Sequence, residues 1–485
     1  MREQKGSELW RLGAAELVSG YRRGEWSPLD ALGQCLARIQ AYNGLLNAIV
    51  TLDEAGARIA AEESARRWAS GKPLGPLDGV PATVKDNIAV RGLRMTWGSR
   101  LYEKQVAQAD ELPVARLRAG GVVILGKTNV PEFTMQGYTD NELFGPTRNP
   151  WAPRLTPGGS SGGAVASVAA GFCPIAIGTD GGGSIRRPAS HAGVVGFKPS
   201  RGRVPRADGL PPIFLEFESV GPMTRSVEDA MLAIAAMSEP HPADPASEAF
   251  RDAPFVVPEA PAACRVLFAP TFGDSPVDPE IASSVSAAAE NLRRMGHQVD
   301  ERPGLRLADE INALWPKLSQ AGLAWLLEST PGWHGRITQA MQANADAGRR
   351  MPATEFFELL VAVNRLRRAC GELFAEYDLL LTPSAAALPW PAQEQFPALI
   401  DGRPVGPRGH AVFTGFANAA GLPGISLPCA PSSTGLPIGI QLVGGFGCDG
   451  AVCAIARQFE HAHPWADQWP TLPANAPASA LSHTG

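Results

Sequence analysis

The chain has 485 residues, 45% of them hydrophobic and 19% charged, with a formal net charge of −5. This is the composition of a globular protein with a large buried core, and no block of Lys and Arg marks it as a nucleic-acid binder. No run of 18 apolar residues could span a bilayer, and the polar start, residues 1–8, lacks the apolar segment of a signal peptide.

Residues 1–70 read as helices packed on a core. Ser27-Pro28-Leu29-Asp30 combines a Ser cap, a first-turn Pro and an acid at the third position. Leu32, Cys35, Leu36 and Ile39 then repeat at helical spacing. After a Gly/Pro loop at 71–78 the pattern alternates. Residues 80–84 predict a strand ending at Lys85, 111–119 a helix, 122–125 a β-branched strand, 161–170 a small-residue helix, and 174–177 and 194–197 two more strands. Residues 241–263, dense in Pro and Ala, predict a surface crossing. Beyond them, 265–268 reads as a strand, 279–295, 308–327 and 355–373 as helices, and 378–381, 424–427 and 438–443 as strands. Such alternation predicts a layered α/β fold around a buried sheet. Within one domain we expect a helical segment at 1–70, a catalytic core at 71–200 and a variable helical and loop region at 201–375. Strands and a helix at 376–465 complete the sheet, and 466–485 form a flexible tail. The seven cysteines, Cys35, Cys173, Cys264, Cys370, Cys429, Cys448 and Cys453, are scattered and odd in number. They read as free, mostly buried thiols, and with them a cytoplasmic protein. No Cys/His grouping has zinc-site spacing; His461 and His463 read as a helix end.

Two glycine-rich segments carry the chemistry: Thr156-Pro-Gly-Gly-Ser-Ser-Gly-Gly163 and Gly178-Thr-Asp-Gly-Gly-Gly-Ser-Ile-Arg186. Each sets serine between a glycine turn and a helix start. Glycine lets several backbone N–H groups converge, which is what the oxyanion of an acyl-transfer intermediate requires. A serine beside such donors is a candidate nucleophile, but it needs a base. His191 is the only histidine near either segment; Lys85, at a strand end before Asp86-Asn87, is the other candidate.

Val84-Lys85-Asp86-Asn87, Gly158-Gly-Ser-Ser-Gly-Gly163 and Gly178-Thr-Asp-Gly-Gly-Gly-Ser-Ile-Arg-Arg-Pro-Ala189 together resemble the amidase signature family. Pro199 onward, Ala420-Gly-Leu-Pro-Gly-Ile-Ser426 and Pro437-Ile-Gly-Ile-Gln441 extend the likeness over about residues 7–463, with the weakest match between 200 and 370. The resemblance implies a single large α/β domain whose central, mostly mixed sheet is covered by helices on both faces. It also implies roles. Ser184 attacks the carbonyl and becomes the acyl-enzyme. Ser160, in a non-proline cis peptide, relays protons to Lys85, the neutral base. The N–H groups of Gly181, Gly182, Gly183 and Ser184 form the oxyanion hole, with Ser161, Thr179, Asp180 and Arg186 in support. Met135, Gly137 and Phe214 are expected to touch substrate.

Two motifs point elsewhere. Gly121-Val-Val-Ile-Leu-Gly-Lys-Thr128 satisfies the P-loop pattern, but its Val-Val-Ile-Leu reads as a strand rather than a phosphate-cradling loop. Gly158-Gly-Ser160-Ser-Gly162 fits a nucleophile elbow served by a later histidine such as His410, yet leaves the second glycine–serine segment unexplained.

The reading that follows is a hydrolase of small neutral amides, anilides or carbamates (a urethanase, with possible esterase activity), acting as a monomer or homodimer without nucleic-acid or membrane partners. The alternative within the resemblance is the glutaminase component of a tRNA-dependent amidotransferase. In those proteins an acid stands where this chain has Ala411, and alanine cannot pair with the ammonium of glutamine. An uncharged, largely apolar substrate is expected from this difference and from Pro211-Pro-Ile-Phe-Leu215, Trp315, Trp325 and Trp333 in the variable region. No metal or organic cofactor is expected, because serine, lysine and backbone N–H groups supply nucleophile, base and oxyanion support. Dialysis against a strong chelator is therefore expected to leave the hydrolysis rate unchanged, and reactivation by one added metal ion would overturn the scheme.

Overall fold

The computed structural model describes residues 8–473. An 11-stranded mixed sheet runs through the molecule. Its strands are β1 (Ile49–Leu52), β2 (Pro81–Lys85), β3 (Val123–Thr128), β4 (Ile175–Asp180), β5 (Val195–Lys198), β6 (Ser219–Thr224), β7 (Arg265–Phe268), β8 (Gln298–Glu301), β9 (Leu379–Pro383), β12 (Gly424–Pro428) and β13 (Gly439–Gly444), in the order β1-β3-β2-β4-β6-β5-β12-β13-β9-β7-β8. The short pair β10 (Leu399–Ile400) and β11 (Arg403–Pro404) stands apart. β3, β2 and β4 are mutually parallel, the centre from β4 to β9 is antiparallel, and β9, β7 and β8 are parallel again.

Both faces of the sheet are covered, and the period of two decides which residue faces which layer. Val123, Leu125 and Ala176 join Leu32 and Leu36 of the helix Pro28–Leu46, and Ala164, Val165 and Val168 of the helix Gly162–Ala169. Ile124, Ile175 and Ile177 face the other way, with Val114 and Leu117 of Leu112–Ala119, and Val227, Ala230 and Ile234 of Val227–Met237. The Ser27 cap forms as predicted: Asp30 N–H donates to Ser27 Oγ at 3.3 Å and Ser27 N–H donates to Asp30 Oδ2 at 2.7 Å. Among the described residues no helix is long and apolar enough to cross a membrane. The seven cysteines are all free, five of them buried, with Cys448 exposed.

The structure departs from the sequence expectations in several places; β8 and the pair β10–β11, for instance, match none of the expected strands. β1 lies within the segment read as all helical and pairs antiparallel with β3. β6 lies in the variable helical and loop region, where the strand at 265–268 is the one expected, yet it sits mid-sheet between β4 and β5. Its Gly221-Pro222 is a turn signal in sequence, and Pro argues against a central strand. The fold tolerates it because pairing with β5 covers only Met223 and Thr224, so at Pro222 the strand has its partner on the β4 side. Residues 466–473, expected as tail, hold to the body: Trp469 meets Trp10 edge-on at 5.0 Å, and Arg225 donates to the carbonyls of Ala466 and Gln468. The rest of that expected tail, 474–485, and the polar start, 1–7, lie outside the described residues.

The P-loop-like stretch is β3. Its backbone belongs to the ladder with β2, and fully buried Lys127 reaches Asp86 Oδ1 at 3.4 Å. Asp86 also accepts from the Thr96 hydroxyl and backbone N–H. Lys127→Ala would leave a buried carboxylate without its cation, and is expected to lower the unfolding free energy by about 3–5 kcal/mol, measured by urea titration.

Candidate active site

Lys85 ends β2 where β2 runs parallel to β4, with Val84 opposite Ile177. The two strands therefore deliver Lys85 and the Thr179-Asp180 pair to the same edge, at the carboxyl ends of parallel strands. The amine is fully buried. Its Nζ lies 2.9 Å from Ser160 Oγ, 3.0 Å from Thr179 Oγ1 and 3.1 Å from the Thr179 carbonyl. A carbonyl can only accept, and Thr179 Oγ1 already accepts from Asn87 Nδ2 at 3.0 Å. The Thr179 carbonyl therefore takes one N–H of the amine, and a neutral amine has one further N–H and its lone pair for the two hydroxyls of Thr179 and Ser160. Burial pulls the lysine down to about 7; the charges of Arg206 and Arg187 act in the same direction, while Glu218 and Asp180 oppose it.

Ser160 follows a cis peptide bond to Gly159. Its neighbour Ser161 stands before the helix Gly162–Ala169, donates its hydroxyl to the Thr179 carbonyl at 3.2 Å and donates its N–H to the Ser184 carbonyl at 3.2 Å. That last bond ties the two glycine-rich segments together. Ser160 is 1% exposed and Ser184 7%, so Ser184 is the hydroxyl that meets open space.

Asp180 organises the turn before Ser184. Its carboxylate accepts from the N–H of Gly183 at 2.6 Å and of Ile185 at 3.1 Å, from Arg186 Nε at 3.0 Å and Nη2 at 2.9 Å, and from Asn418 Nδ2 at 3.0 Å. Burial alone would raise this acid, but Arg186, Lys198 and the Gly183 N–H outweigh it and hold it below the usual carboxylate range. Arg186 also reaches the Thr414 carbonyl, Asn418 Oδ1 and Gln441 Oε1. One sequence expectation changes here. Gly183 spends its N–H on Asp180, so the candidate oxyanion donors reduce to Gly181, Gly182 and Ser184. Gly183 takes φ +111°, and a β-carbon there would lie 2.2 Å from Thr414 Oγ1, so only glycine fits the turn.

A cavity of about 560 Å³ opens onto Ser184, Gly181 and Gly182, and Met135, Gly137 and Phe214 are among the residues that line it. Ile213 turns inward and Leu215 outward, so the apolar loop presents Phe214 alone to the cavity. Of the three tryptophans singled out, Trp315 reaches it and donates Nε1–H to the Gly181 carbonyl at 3.2 Å. Trp333 packs with Leu323 and Met341 without lining the cavity itself, and Trp325 is 49% exposed. Sequence reasoning missed Arg187 and Arg408, which also line the cavity. The doubled arginine of Ser-Ile-Arg-Arg-Pro was the available signal for the first; nothing local marks the second.

His191 and His410 stand apart from the contact between Lys85 and Ser160. His191 Nε2 bonds the Ala387 carbonyl and burial lowers the ring to about 4, while His410 Nε2 accepts from Arg187 Nη1 at 2.6 Å. Neither ring bonds a serine. We therefore expect kcat/KM to rise as pH increases through about 7 and to level off above it, because only the neutral amine can take a proton. Lys85→Arg is expected to remove activity, while His191→Gln keeps the limb in place; a limb that vanished with His191 would refute the assignment.

A family model described as Amidase matches residues 30–453. The chain is 35% identical to the A subunit of glutamyl-tRNA(Gln) amidotransferase from Synechococcus sp. (strain WH7803), over 92% of this chain and 96% of that protein. It is 32% identical to an acylamidase of Rhodococcus erythropolis, over 95% and 97%. The crystal structure of a bacterial aryl acylamidase of the amidase signature family superposes with a TM-score of 0.85 at 29% identity, covering 94% of this chain and 97% of that one. The motifs, the mixed sheet and these likenesses agree, and the chain belongs to the amidase signature family of hydrolases.

Proposed function

We propose that the protein hydrolyses small linear amides, anilides or carbamates through an acyl-enzyme on Ser184. The observation that carries this is the buried contact of 2.9 Å between Lys85 Nζ and Ser160 Oγ, with Lys85 drawn down to about 7. In this reading Ser184 Oγ attacks the carbonyl carbon and passes its proton to Ser160, whose own proton moves to Lys85. The new oxyanion is held by N–H groups of the turn Gly181–Ser184 other than Gly183. The C–N bond then breaks as the proton returns from Lys85 through Ser160 to the leaving amine. Water repeats the sequence on the acyl-ester, releasing the acid and restoring Ser184. A carbamate carbonyl passes through the same kind of tetrahedral intermediate and is served by the same groups.

Met135, Phe214 and Trp315 support an aryl or alkyl group on the substrate. The likeness to an acylamidase and to an aryl acylamidase points the same way. The likeness to a component of a glutamyl-tRNA(Gln) amidotransferase raises glutamine as a second substrate. Against it, Ala411 lines the cavity and offers no carboxylate for an ammonium. Among the described residues the one acid on the wall, Glu218, is held by Arg206 at 2.6 Å.

A fluorophosphonate reagent is expected to label Ser184, identified by mass spectrometry, and Ser184→Ala is expected to lower kcat by roughly 10⁴-fold or more. Label on Ser160 instead would revive the nucleophile-elbow reading. Acetanilide or an aryl carbamate is expected to exceed glutamine and asparagine in kcat/KM; glutamine ahead by about tenfold would replace this reading with the glutaminase one.

A further inference from the structure

The cavity wall carries two guanidinium groups for which the described residues supply no paired anion. Arg187 is 4% exposed; its Nη1 donates to His410, and its Nε has no hydrogen-bond partner. Nε and Nη2 of Arg408 are buried and equally unpartnered, as is His410 Nδ1. Among the described residues neither arginine forms an ion pair, whereas Arg186 pairs with Asp180, Arg203 with Asp449 and Arg206 with both Glu111 and Glu218. Asp180, the acid whose charge reaches Arg187, and Glu218, which lines the cavity, are thus engaged by other arginines.

Their position is set by the glycines around them. A β-carbon at Gly137 would lie 2.8 Å from Arg187 Nη1, and one at Gly182 would lie 3.9 Å from Arg408 Nη2. Both guanidiniums therefore lie close to the walls of the pocket that Ser184 faces. Burial draws Arg187 down to about 9, with the charge of Arg408 adding to the effect, and draws Arg408 to about 10. Unpaired charge in such a place is costly, and a planar carboxylate matches the donors of two guanidiniums.

We infer that Arg187 and Arg408 hold a carboxylate of the substrate, so that the preferred substrates are amides carrying one carboxylate separated from the scissile bond by an apolar spacer. This rests on Ser184 as the nucleophile, and it replaces the uncharged substrate expected from the sequence. A carboxylate on the acyl part and one on the amine part have the same chemistry, and the test separates them.

Calorimetry on Ser184→Ala compares 4-carbamoylbenzoate with 4-methylbenzamide, and 4-acetamidobenzoate with 4-methylacetanilide. One anionic ligand is expected to bind at least about tenfold tighter than its neutral counterpart, in the range of a charge-assisted hydrogen bond. The pair that shows the gain tells which side bears the carboxylate. Adding Arg408→Met or Arg187→Met is expected to erase the gain, and kcat/KM of the protein with Ser184 intact is expected to follow the same order. Equal binding of charged and neutral ligands overturns the inference, and so does the absence of measurable binding by either anion. An equal fall in kcat/KM for charged and neutral substrates on replacing Arg408 also overturns it, since that would assign the arginines to electrostatic support of the oxyanion. Failure of the fluorophosphonate to label Ser184 would remove the hydrolase reading instead, and the binding comparison on Ser184→Ala does not depend on turnover.

Discussion

A lysine amine sealed at the carboxyl end of a strand loses its proton near neutrality only if no carboxylate claims it. Most of the structure around Lys85 serves that constraint. Asp86, next in the chain, is turned to Lys127 and Thr96. Asp180, next to the Thr179 that Lys85 touches, is taken by Arg186. Glu218 and Glu111 are both bound by Arg206. With each nearby acid tied to another cation, Lys85 is left with neutral oxygens: the Ser160 hydroxyl and the two oxygens of Thr179.

The glycine turn depends on residues far along the chain. Thr414 Oγ1 donates to the Gly182 carbonyl at 2.8 Å, and Asn418 Nδ2 donates to the Asp180 carbonyl at 2.6 Å. Gln441, on β13, receives Arg186. The turn is thus held from the strand side by β4 and from the opposite side by segments more than 220 residues later. This explains why the last third of the chain contributes strands to the same sheet rather than a separate domain: its polar groups complete the site. In the proposed mechanism, N–H groups held in this way would need no rearrangement as charge develops on a substrate oxygen, which is where preorganised donors are most effective.

The cavity at Ser184 divides along chemical lines. Met135, Phe214 and Trp315 give it apolar surface, and Trp315 also braces the Gly181 carbonyl. Arg187 and Arg408 give it positive charge without an internal partner. A pocket with both features discriminates by contact area and by charge, and a ligand lacking either leaves one set of groups unsatisfied.

The sequence by itself determined the local chemistry. Lys85, Ser160 and Ser184 stand in motifs long enough to be recognised, and the Ser27 cap and the strand at Lys85 were readable because local hydrogen-bonding and β-branched patterns decide them. The P-loop pattern could be set aside because Val-Val-Ile-Leu is rich in β-branched residues, and residues 123–128 form β3. Tertiary structure decided what depends on distant partners. Pro222 lies in a central strand because its neighbours pair around it, which no local pattern shows. The Gly183 N–H goes to Asp180 rather than to the oxyanion site because the carboxylate folds back three residues, a matter of turn geometry. The charge of the pocket was invisible because it is set by the ion pairs that Arg187 and Arg408 do not make. An arginine in a sequence carries no mark of whether an acid waits for it, and only the packing of the whole chain showed that here the acids were already taken.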